Sequence, residues 1–66
     1  MSPDALEAVR SRYKAAYEAY QLASKRVAQK LANGLVPSAK DVEDETNATE
    51  RLTAARRELI DAMTRL

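Results

Sequence analysis

The chain has 66 residues and nearly balanced charge, with 11 basic and 10 acidic side chains and a formal net charge of +1. A single hydrophobic core of this size hardly offsets the entropy lost on ordering the chain, and the absence of cysteine excludes disulfides as a second source of stability. Histidine is also absent, and carboxylates alone seldom hold structural zinc, so we expect a homo-oligomer that contains no metal and no cofactor.

The first predicted helix spans about residues 3–33. Ser2 is suited to cap its N-terminus, Pro3 fits the first helical position, and Asp4 lies at the positive end of the helix dipole. This N-terminus has neither the basic start nor the apolar run of a secretory signal. The apolar runs elsewhere are far shorter than the roughly 20 residues needed to cross a bilayer. We therefore expect a cytoplasmic protein without a membrane span.

The predicted turn spans about residues 34–38 and the second helix about residues 39–65. Gly34 directly follows Asn33 and favours the left-handed conformation that closes a helix. Ser38 and Asp41 have the spacing of a capping box, and Pro37 keeps the preceding backbone extended. One continuous helix is the competing interpretation, but stop and start signals within a few residues favour two antiparallel helices.

Apolar residues recur with heptad spacing in both helices, as in a coiled coil, with large residues alternating with alanine. Such a seam allows two helix backbones to approach closely. The predicted fold is all-α: an antiparallel two-helix hairpin with an alanine-rich heptad seam that dimerises into a four-helix bundle. The predicted seam comprises Leu6, Val9, Tyr13, Ala16, Tyr20, Ala23, Val27, Ala48, Leu52, Ala55, Leu59, Ala62 and Leu66.

A turn centred near residues 35 and 36 sets the predicted register. It places Tyr13 level with Leu59 and Tyr20 level with Leu52. Residues 1–33 carry six basic and three acidic side chains, whereas residues 34–66 carry five and seven. Folding the two halves of the chain together therefore explains this charge asymmetry, because basic residues of one half pair with acidic residues of the other across the turn. The predicted partners are Lys25, Arg26 and Lys30 with Asp41, Asp44 and Glu45.

Several apolar residues fall outside the seam, where one partner helix cannot cover them. We assign four of them to a dimer face: Tyr17, Leu31, Ile60 and Met63. The same residues would serve equally well if the hairpin were one half of an obligate hetero-complex or bound a helix of another protein.

No catalytic or cofactor site is predicted, because the chain has no histidine or cysteine to activate a nucleophile. An acidic group at the start of the second helix consists of Asp41, Glu43, Asp44 and Glu45. Its carboxylates could bind a hard cation, but the helix dipole and pairing across the hairpin account for them better.

The alternative function is nucleic-acid binding by a basic face on the first helix. Basic residues lie near tyrosines there, and such pairs can contact phosphates and stack on bases. The near-zero net charge and the tyrosines' seam positions favour a structural role instead. The candidate residues are Arg10, Arg12, Lys14, Lys25, Arg26 and Lys30. Membrane binding is not expected either, because the first helix is only moderately basic and its apolar face is rich in alanine. We predict a non-enzymatic adaptor or regulator that acts by helix–helix packing.

Overall fold

The computed structural model describes residues 2–66, and Met1 lies outside this range. Two helices, α1 (Pro3–Ala32) and α2 (Ala39–Thr64), pack against each other as a hairpin, and no strand occurs among the described residues. The molecule is elongated, with extents of 48 × 15 × 13 Å. The all-helical class and the packing of two helices are therefore confirmed.

The start of α1 follows from local capping chemistry. The Ser2 hydroxyl accepts a hydrogen bond from the backbone N–H of Ala5 at 3.2 Å, which satisfies one of the free donors at the helix N-terminus. Pro3 occupies the first turn, where its missing N–H costs nothing, and Asp4 adds an acidic group beside the dipole.

The end of α1 is closed by Gly34, which has a φ of +75°. The N–H of Leu35 donates to the carbonyl of Lys30 at 2.8 Å, and the N–H of Gly34 donates to the carbonyl of Leu31 at 3.1 Å. These two bonds form a Schellman motif, which requires a left-handed residue at the position of the glycine. The helix predicted to end near residue 33 thus ends at Ala32.

The start of α2 is a complete capping box. The hydroxyl of Ser38 accepts from the N–H of Asp41 at 3.1 Å, and the Asp41 carboxylate accepts from the N–H of Ser38 at 3.2 Å. Reciprocal bonds of this kind satisfy two backbone donors at once. The turn is therefore held by backbone–backbone hydrogen bonds at the end of α1 and by side-chain–backbone hydrogen bonds at the start of α2.

The interior is a narrow seam between the helices. The buried residues are Val9, Ala23, Ala48, Ala55 and Ala62. Most of the larger seam residues are only half-buried, because their outer parts extend beyond the closely packed alanines. This half-buried group, which also includes one alanine, consists of Leu6, Tyr13, Ala16, Tyr20, Val27, Leu52 and Leu59.

Leu66 departs from the predicted seam, and this prediction is corrected. It is 72% exposed, because α2 ends at Thr64 and the last residues no longer follow the helical repeat. Within residues 2–66, neither helix combines the length and apolar character needed to cross a membrane.

Candidate interaction surface

The hairpin has two long sides, and a shallow groove runs between the helices on each. We name them by their composition. The tyrosine face is lined by Tyr13, Tyr17, Tyr20, Thr49, Leu52, Thr53 and Arg56. The alanine face is lined by Ala15, Ala16, Ala19, Ala54 and Ala55, with Arg12, Arg51 and Glu58 at its edges.

The tyrosine face has a stacked aromatic pair at its centre. The rings of Tyr13 and Tyr17 lie 6.2 Å apart between centroids, with an interplanar angle of 26°. Tyr13 is half-buried, whereas Tyr17 is 43% exposed. A stacked pair held in this way is a rigid apolar surface that loses little side-chain entropy when a partner covers it.

Two threonines on the same face have hydroxyl donors that are already used within their own helix. The hydroxyl of Thr49 donates to the backbone carbonyl of Glu45 at 2.8 Å, and that of Thr53 donates to the carbonyl of Thr49 at 3.0 Å. Because each hydroxyl donates within its own helix, a partner could cover both residues without taking a hydroxyl donor from water.

The residues that the sequence assigned to a dimer face are all exposed: Tyr17, Leu31, Ile60 and Met63. Helical periodicity places them on the side of the tyrosines rather than that of the alanines. Val42 is exposed on the same side and was not among the predicted residues. Its spacing of ten residues before Leu52 is the signal that could have identified it. Apart from Tyr17, which is already part of it, these residues extend the tyrosine face towards both ends of the hairpin.

The alanine face has fewer features that could hold a partner. An ion pair between Arg12 and Glu58 crosses its groove and joins the two helices. Leu22 is the exposed large apolar residue that helical periodicity places on this side. In the floor of this groove, Ala16 and Ala55 allow close approach of the helices, and that role is internal to the hairpin.

Only part of the predicted charge pairing across the turn forms. Lys30 and Asp41 make an ion pair, but Asp44 pairs with Lys40 of its own helix at 3.6 Å. Neither Lys25 nor Arg26 forms an ion pair within residues 2–66. Helical periodicity directs Lys25 away from α2, so the expectation for that side chain is corrected.

The pKa of the Asp41 carboxyl group is lowered by its neighbours at the turn. Hydrogen bonds from the Lys30 ammonium and from Ser38 hold its pKa at about 2, below the ordinary value of 3.8. These bonds favour the charged carboxylate, because each donor interacts with negative charge. The carboxylate thereby joins the end of α1 to the start of α2.

The proposed basic face does not form one surface. Periodicity places Arg10 and Lys14 on the tyrosine side, whereas Arg12 lines the alanine face. Three of the six basic residues are in ion pairs: Arg10 with Glu7 at 3.3 Å, Arg12 with Glu58, and Lys30 with Asp41. Among residues 2–66, no three acidic side chains converge to hold a metal ion.

No family model, curated protein or solved structure matches the chain.

Proposed function

We propose that this chain is a non-enzymatic, cytoplasmic interaction protein that self-associates through its tyrosine face, so that two hairpins form a four-helix bundle. The observation that carries the proposal is the area of surface that one hairpin leaves exposed. A folded monomer of this mass exposes about 4,200 Å² by the usual scaling of area with mass. The hairpin exposes 5061 Å².

The difference between these two areas is similar to one partner's share of a typical interface. It amounts to about 900 Å², close to the roughly 800 Å² that each partner loses in an interface of standard size. A homodimer needs no second gene product to cover this area. Two hairpins packed side by side also give the architecture in which helical pairs of this length are commonly stabilised.

The composition of the buried core supports the same proposal. Val9 and four alanines are the only buried apolar residues among those described. Alanine contributes little on burial, because the free energy scales with the apolar area removed from water. Larger side chains such as Tyr17, Ile60 and Met63 are available for burial but lie outside this core.

The non-enzymatic part of the proposal rests on the side-chain chemistry. Activation of a serine or threonine nucleophile usually needs a histidine or another positioned base, and the chain contains no histidine. The carboxylate with the clearest shift, that of Asp41, is held in its charged form by the turn. Its low pKa suits a structural ion pair better than proton transfer near neutral pH.

The proposal is tested with Met63→Lys, which places a charge on the tyrosine face. Because two-fold symmetry places the new charge in the interface twice, we expect at least tenfold weaker dimerisation, corresponding to about 1.4 kcal/mol or more. Thr64→Lys is the matched control. It adds the same charge one residue away on an exposed position, and we expect it to leave the dimer intact.

Sedimentation equilibrium over a range of protein concentrations measures both effects. A wild-type chain that is monomeric and folded at all concentrations would refute self-association. In that case, a hetero-complex would become the better hypothesis. Salt-sensitive, sub-micromolar binding to duplex DNA or RNA that is lost in an Arg10, Arg12 and Lys14 triple neutralisation would instead favour the nucleic-acid function.

A further inference from the structure

The exposed apolar residues of the tyrosine face are distributed evenly about its midpoint. The ion pairs Arg12–Glu58 and Lys30–Asp41 fix which residues of the two helices lie level. At this register Tyr20 and Leu52 are nearly level, and both line the groove of the tyrosine face. Positions along the face can therefore be measured from these two residues.

Met63 lies eleven residues from Leu52 towards the open end, and Leu31 lies eleven residues from Tyr20 towards the turn. At about 1.5 Å per residue, each is roughly 16 Å from the midpoint. Ile60 and Val42 are about 12 and 15 Å from it in opposite directions. Each end of the face thus has an apolar pair at nearly the same distance from the midpoint.

We propose that the occupant of the tyrosine face is a second copy of this chain in antiparallel orientation, with its turn beside the open end of the first. The two-fold axis passes near Tyr20 and Leu52. This arrangement rests on the self-association through the tyrosine face proposed above and specifies its direction. It places Ile60 and Met63 in one layer with the partner's Leu31 and Val42.

The charges on the face favour the same direction. Arg56 lies about 6 Å from the midpoint towards the open end, and Glu45 lies about 10 Å from it towards the turn. Neither forms an ion pair within residues 2–66. In the antiparallel dimer, α2 packs on the partner's α2, and each Arg56 comes within side-chain reach of the partner's Glu45.

The parallel dimer has the opposite electrostatics. With turn beside turn, α2 of one copy packs on α1 of the other. Arg56 then lies level with the partner's Lys14, so two basic groups meet at two symmetric positions, and Glu45 has no basic residue opposite it. Like charges placed together at an interface select against that arrangement.

The direction is tested by spin labelling, for which the absence of cysteine makes single-site labelling straightforward. Val36 lies in the turn and is 90% exposed, so a nitroxide at Val36→Cys leaves the packing unchanged. Pulsed electron paramagnetic resonance should give an intermolecular distance near the full length of the hairpin, 48 Å. A parallel dimer would bring the labels within about 20 Å, twice the usual separation of packed helices.

The face is tested by two adjacent labels on opposite sides of α2. Thr53→Cys lies on the tyrosine face near the two-fold axis, and Ala54→Cys lies on the alanine face. We expect a clearly shorter intermolecular distance for Thr53→Cys. The reverse order would overturn the assigned face, and a short distance at Val36→Cys would overturn the direction. A monomer by sedimentation would instead refute the self-association on which both depend.

Discussion

Replacement of Ala55 with leucine tests how closely the two helices pack. Ala55 is 8% exposed and lies in the seam beside the alanine-face groove, so three added carbon atoms must push the helices apart or be forced sideways into that groove. Overpacking of this kind costs about 1 to 3 kcal/mol. For a domain of this size, the melting temperature should fall by about 4 to 8 °C per kcal/mol.

Ala54 provides the control on the same helix. It is exposed, and leucine and alanine differ little in helix propensity, so Ala54→Leu should change stability by less than about 0.5 kcal/mol. Circular dichroism melts at one fixed protein concentration compare the two variants, because the stability of an oligomer depends on concentration. Equal melting temperatures, or a larger loss for Ala54→Leu, would refute the assignment of Ala55 to a closely packed seam.

Two further predictions concern the turn. Gly34→Ala should destabilise the hairpin by about 1 kcal/mol in thermal melts, because a φ of +75° strains any residue that has a Cβ. The strain comes from the backbone alone, since no atom lies within 4 Å of the added carbon. Gly34→Asn should lose less stability, because asparagine tolerates this conformation. Asp41 has a pKa of about 2 in the folded chain, below its ordinary 3.8, so its stabilising contribution is present above about pH 3.8 and is lost as the pH falls towards 2. Asp41→Asn should accordingly lower the melting temperature at pH 7 and have little effect at pH 2, and an equal effect at both values would contradict this role.

The helices and their caps could be read from the sequence because the responsible interactions are local. Ser38 and Asp41 are three residues apart, and Gly34 follows the last turn of α1, so their chemistry does not depend on distant packing. Heptad spacing likewise indicates which side of each helix faces the other. The expected helix–helix contact is found, and the buried alanines lie at the predicted positions.

The charged contacts between the helices could not be predicted as well. Arg12 pairs with Glu58 and Asp44 pairs within its own helix, whereas the sequence suggested Lys25 and Arg26 as partners of the acidic group. Long side chains reach several neighbours, and small rotations of a helix decide which one they contact. The polarity of the tyrosine face also depends on side-chain rotamers. The sequence alone does not show that the hydroxyl of Thr53 donates to a carbonyl of its own helix.

The narrow seam has a consequence for how the length of this hairpin can evolve. The molecule is 48 Å long but only 15 × 13 Å across, so a layer of side chains can contact only layers close to it along the axis. An insertion of seven residues in both helices at the same level would lengthen the molecule by about 10 Å and keep every side chain on its own face. The same insertion in one helix would leave an unpaired overhang or shift every contact beyond it. Length in this architecture can therefore change by paired heptads, while the turn and its caps remain as they are.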